Sequence, residues 1–326
     1  VAAIGCGLVF GCAEVVAQEE SSDVAVVSIA WTYAPDGAQF TEVIVDNEVV
    51  YALDRAGHIY ALAAATGKQL WTSEREMSFG RGYGMALPKA PASLDSDTGA
   101  LLVGCDDGLF ALQRSNGKAI WHTEIAQGVA GPACTSQAVL AGSADGKIYA
   151  CKLTNGEVLW QHDYLEDAPD DPPGFVGATA RFGSIPARPG VATTDGTMVV
   201  VPVFDQCRAI AVDVATGKRL WDFQTLGWMG GRPAIGARNV YVVSQDRHLY
   251  AVDKQMGKLA WKLKTGGRVS GGAVPTDRFA YFGSCDANLY AVDHGVGHIA
   301  WKFTTEHEEG SGAPIYATPL VHDKVV

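Results

Sequence analysis

Five arginines in this chain could recognise a ligand. Arg188 and Arg232 each stand directly before a proline, Arg268 precedes a small-residue segment of the same kind, and Arg81 and Arg181 lie in two longer irregular stretches. A guanidinium offers five donors in a planar fork that suits a carboxylate or an exposed peptide backbone. Gathered on one face and bordered by Phe79, Tyr83, Phe175 and Phe182, these groups would form a funnel for an anionic or peptide ligand. Trp228 adds an aromatic face that can stack on a ligand or pack against a neighbouring element. The plainer reading is that the arginines donate to loop carbonyls.

Other chemistry finds less support. A Gly-x-Ser-x-Gly nucleophile elbow and a P-loop are both absent. The run GRGYG at 80–84 is glycine-rich, but no helical pattern follows it to hold a phosphate. His294 and His298 flank one turn beside Asp293 and could clasp a metal, yet they read better as exposed turn residues. Asp163, Glu166, Asp167, Asp170 and Asp171 would supply hard oxygens for calcium. Pro169, Pro172 and Pro173 interrupt that run, so a solvated acidic loop is expected. No catalytic residue and no metal site is assigned.

The 326 residues carry 25 Lys and Arg against 36 Asp and Glu, a formal net charge of −11. A nucleic-acid binder needs a basic face to displace counterions, so that class is excluded, and broad attraction to anionic lipid is disfavoured. Hydrophobic residues make up 48% and charged residues 19%, the balance of a globular chain. Residues 1–10 are apolar, uncharged and too short to span a bilayer, and read as part of a secretory signal. Two exits from it are open. VFGC at 9–12 resembles a lipobox, which makes Cys12 a lipidation candidate, while ordinary cleavage after Ala17 is the other. Residues 1–23 are thus assigned to a partial signal peptide or lipoprotein tether. Of seven cysteines, the five beyond this leader (105, 134, 151, 207 and 285) show no C-x-x-C spacing, and their pairing is left open.

The elements that must position these groups are set by tryptophan. Trp31, Trp71, Trp121, Trp160, Trp221, Trp261 and Trp301 are separated by steps of 40, 50, 39, 61, 40 and 40 residues, and only Trp228 falls off this grid. The same phrase precedes each later Trp, as in HLYAVDKQMGKLAW (248–261) and NLYAVDHGVGHIAW (288–301). Its L-Y-A-V segment alternates as a strand, and a polar turn comes next with Gly at 67, 117, 156, 217, 257 or 297. Another hairpin lies upstream, and a small-residue strand before that. Four short antiparallel strands per period of about 40 residues make a β-propeller blade. The two long steps place insertions within 72–100 and 161–200. The seven periodic Trp are read as structural, covering the seams between blades.

Residues 211–221 read AVDVATGKRLW, a full match to A-x-D-x-x-T-G-K-x-x-W. In this the chain resembles the PQQ-like (quinoprotein-type) β-propeller repeat family over about 24–326, and within it the BamB-like outer-membrane assembly lipoproteins. The expected fold is all-β: six full blades, an N-terminal strand at Trp31 that closes the last blade, and the start of a further blade at 315–326. Seven or eight blades would complete the ring, and the resemblance favours eight. It also implies an exported, periplasmic, non-catalytic scaffold without cofactor, held at the outer membrane if Cys12 is lipidated. Its partners would be other envelope proteins or unfolded outer-membrane polypeptides, met through loops or by strand addition. Two rivals stand beside this. One is a PQQ-dependent quinoprotein oxidoreductase using calcium, although the adjacent-cysteine ring of the alcohol-oxidising branch is missing. The other is a ligand-sensing propeller module of a larger protein.

Overall fold

The computed structural model describes residues 10–14, 28–46, 48–73, 92–94, 99–164, 189–204, 206–305, 312–321 and 326. Among these, the ordered elements are strands, and six four-stranded antiparallel sheets succeed one another in chain order. They are blades I to VI, spanning 40–72, 92–124, 133–163, 193–224, 234–264 and 274–304. Blade V is representative. Its strands Ala234–Ile235, Asn239–Ser244, His248–Asp253 and Leu259–Lys264 lie side by side in that order. The short first strands of consecutive blades adjoin one another from I to VI, which makes the array a propeller.

Burial tracks position within the blade. The second strands of blades II, III, IV and V are buried along their whole length, because a neighbouring blade covers both faces. There is accordingly one apolar cluster per seam. Leu140, Ile148 and Ala150 of blade III, for example, pack against Val199, Val201, Ile210 and Val212 of blade IV.

The tryptophans fasten these seams. Trp31, Trp71, Trp121, Trp160, Trp221 and Trp261 each donate the indole N–H to a backbone carbonyl in the final turn of the next blade: Ala64, Arg114, Leu153, Val214, Lys254 and His294, at 2.8–3.1 Å. Each ring also lies on the turn glycine of that blade. A Cβ on Gly257 would sit 2.3 Å from Cβ of Trp221, and φ there is +68°. The glycine is therefore needed for two reasons, its left-handed backbone and the close approach of the ring. A β-bulge precedes the Trp in all six fourth strands, at Leu70, Ile120, Leu159, Leu220, Ala260 and Ala300. The extra residue kinks the outer edge and re-aims the indole toward the next blade.

Ser28–Tyr33, the strand of Trp31, forms an antiparallel ladder with Phe10–Glu14, within the stretch assigned to the leader. Blade VI has four strands of its own. Beyond it, the Ile315 N–H donates to the Ser284 carbonyl at 3.1 Å, as Val269 does to Ser244 at 3.3 Å. Residues 312–321 thus lie where a first strand succeeds blade VI.

Candidate functional site: a rim of blade seams

At one end of each seam the chain crosses from a fourth strand to the next first strand. Val129, Met229 and Val269 pin this crossing by donating to the carbonyls of Cys105, Phe204 and Ser244 at 2.9, 3.4 and 3.3 Å. The residues just before them are Gly128, Trp228 and Arg268. Their carbonyls accept N–H bonds from Ala144, Gln245 and Cys285, at 3.2, 2.8 and 2.8 Å. Trp228 and Arg268, picked separately from the sequence, therefore occupy equivalent seats on one rim. Both are exposed, Trp228 by 41%.

Pro189 bridges to Val203 as Met229 bridges to Ser244. Arg232 lies three residues beyond Met229. Its Nε donates to Thr193 Oγ1 at 2.8 Å, joining the first strands of blades IV and V. Arg81, Arg181, Arg188, Phe79, Tyr83, Phe175 and Phe182 lie outside the described residues.

Sequence reasoning missed Arg247. It stands at the hairpin of blade V with φ +72°, where blades I and III use Gly57 and Gly146 and blades IV and VI use Cys207 and Ala287, all at positive φ. Comparing the repeats at that turn would have exposed the substitution. Arg247, Gln245, Asp246, Gly267 and Arg268 line an open cleft of about 560 Å³ between blades V and VI. Asp246 is committed elsewhere: its carboxylate accepts the Leu226 and His248 N–H groups at 3.1 and 3.0 Å and the Tyr250 hydroxyl at 2.5 Å. Burial, then this carboxylate, pushes the Tyr250 hydroxyl well above its ordinary range.

The same Tyr–Asp bond recurs at Tyr60–Asp54, Tyr149–Asp145 and Tyr290–Asp286, at 2.9, 2.5 and 2.7 Å. It ties each rim turn to the strand below. Burial works to raise the Asp286 carboxyl, but bonds from Tyr290, Asn288, the Gly266 N–H and Ser284 outweigh it and hold the group below its ordinary 3.8. A depressed carboxylate stabilises the fold above its unfolded pKa, and that contribution disappears as pH falls through the folded value. Asp286→Asn should therefore flatten the acid limb of the stability curve below about pH 4, which urea titrations at stepped pH would measure.

Hydrolytic or redox chemistry has little to build on among the described residues. Burial, then Asp107, pushes the Cys105 thiol up to about 12, and burial pushes Cys151 to about 11, so neither is a ready thiolate. No three His, Cys, Asp or Glu side chains converge to hold a metal there. The described residues therefore offer no such cluster for the calcium that accompanies PQQ.

A family profile described as Outer membrane protein assembly factor BamB matches residues 15–131 and 144–326. The chain belongs to this family. It is 26% identical over 234 residues to the BamB of Nitrosomonas eutropha, covering 61% of this chain and 54% of that protein. It therefore spans about half the length of that relative. A quinohemoprotein alcohol dehydrogenase of Comamonas testosteroni is also 26% identical, but over 118 residues, 35% of this chain and 16% of the dehydrogenase. The crystal structure of BamB from Moraxella catarrhalis shares the fold, with TM-score 0.63 and 23% identity over 85% of this chain and 80% of that one.

Proposed function

We propose that the chain is a non-catalytic, exported scaffold that presents its seam rim to other envelope proteins or to unfolded outer-membrane polypeptides. The observation that carries this reading is the shared, exposed seat of Trp228 and Arg268, held rigid by backbone bonds on both sides of each crossing. Rigid blades holding exposed aromatic and guanidinium groups form a recognition surface, since such groups dominate interface energetics. The family's description as an assembly factor supports the same role. Deleting the gene from its host is expected to lower the amount of folded, heat-modifiable outer-membrane barrel protein, and the wild-type chain is expected to restore it. Unchanged barrel levels would overturn the reading.

The dehydrogenase similarity supports a second reading, a PQQ-dependent oxidoreductase. The two part on one assay. With PQQ and calcium added, the scaffold gives no alcohol-dependent dye reduction, whereas the oxidoreductase does. Anchoring through Cys12 belongs to the proposal too, and mass spectrometry of the mature N-terminus reads it as an acylated Cys12 or an unmodified Gln18.

A further inference from the structure

We infer that the cleft between blades V and VI is a carboxylate-binding site for an extended polypeptide, with Arg247 and Arg268 as its two guanidinium clamps. This rests on the scaffold reading for its biological setting and on the geometry for its chemistry. The two arginines come from different elements, the hairpin of blade V and the crossing into blade VI, and flank one open cleft. Among the described residues neither guanidinium meets a hydrogen-bond or ion-pair partner, in a chain with 36 carboxylic residues. Asp246, the acid lining the cleft, has its oxygens occupied by Leu226, His248 and Tyr250, so it leaves the arginine forks open.

Arg247 holds a left-handed backbone that favours glycine; Gly57 and Gly146 fill that turn in blades I and III, and Cys207 and Ala287 in blades IV and VI, so of the non-glycine residues there Arg247 alone brings a charge. The Gln245 side chain adds an amide beside the forks. Trp228 is a near neighbour in the chain's backbone, because its carbonyl accepts the Gln245 N–H.

The ligand chemistry is a carboxylate, and it has two sources: a Glu or Asp side chain, or a C-terminal carboxylate. Three eight-residue peptides of matched sequence separate them by calorimetry on the whole chain. One carries two Glu and an amidated C-terminus, one carries Gln and a free C-terminus, and one carries Gln and an amide. The neutral peptide should bind at least about tenfold more weakly than the better of the other two. Arg247→Gly and Arg268→Gly serve as variants because Gly146 and Gly128 already hold these places in blade III and the crossing into it. The double variant should lose about ten- to a hundredfold in affinity while remaining folded, with Arg247→Gly relieving a left-handed backbone and Arg268→Gly adding a small entropic cost. Arg268→Lys keeps the charge, loses the fork, and should fall between.

Equal binding of all three peptides, or a double variant within twofold of wild type, overturns the site. The scaffold reading fails separately. If the acidic peptides bind but the chain does not restore barrel protein, the function falls and the site stands. If barrel protein is restored and the peptides are not discriminated, the reverse holds.

Discussion

Trp221→Ala is expected to lower the free energy of unfolding by about 3–5 kcal/mol. Trp221 is 6% exposed, donates to the Lys254 carbonyl, and lies on Gly257. Removing its ring leaves a seam cavity and an unmet carbonyl. Gly257→Ala should approach this effect, because its methyl would enter the same ring. Urea unfolding of both variants measures the two costs. A negligible cost at Gly257 would mean that the indole works within its own blade and not across the seam.

The buried ion pair of blade IV should give an effect of comparable size with a different signature. Arg208 and Asp222 are 8% and 9% exposed and meet through two bonds, one of them from Nε to Oδ1 at 3.0 Å. Asp222→Ala should cost about 3–5 kcal/mol, because the buried guanidinium loses both bonds to the carboxylate, and Arg208→Ala should cost less, because Arg219 lies 3.9 Å from Asp222. Replacing both, as Arg208→Met with Asp222→Leu, should recover most of the loss, since apolar groups of similar volume need no partner. A double variant as unstable as the singles would show that packing at this site, and not charge, sets the cost.

The fold was readable because a few residues do indispensable work at fixed spacing. Trp and Gly mark each period, since the ring of one blade needs the bare turn of the next. What the spacing could not convey was register. The bulge before each Trp leaves no trace in composition, because the extra residue is an ordinary Leu, Ile or Ala. Proline is a weak landmark for the same reason: Pro189 bridges to Val203 at the crossing, while Pro233 directly precedes the first strand of blade V. Arg247 was invisible because an arginine in a polar turn looks like solvated surface. Only its positive φ marks it out.

The forward reach of each indole also gives the chain a direction in time. A ribosome delivers the N-terminal repeats first. Each blade therefore emerges with a finished body and an indole still waiting, and it is completed only when the next glycine turn arrives. Throughout synthesis the growing ring carries one apolar docking surface at its leading end, and each new repeat covers the old surface while presenting its own. Assembly of this kind runs like a ratchet, in which a stalled chain is most vulnerable to aggregation at the last repeat made.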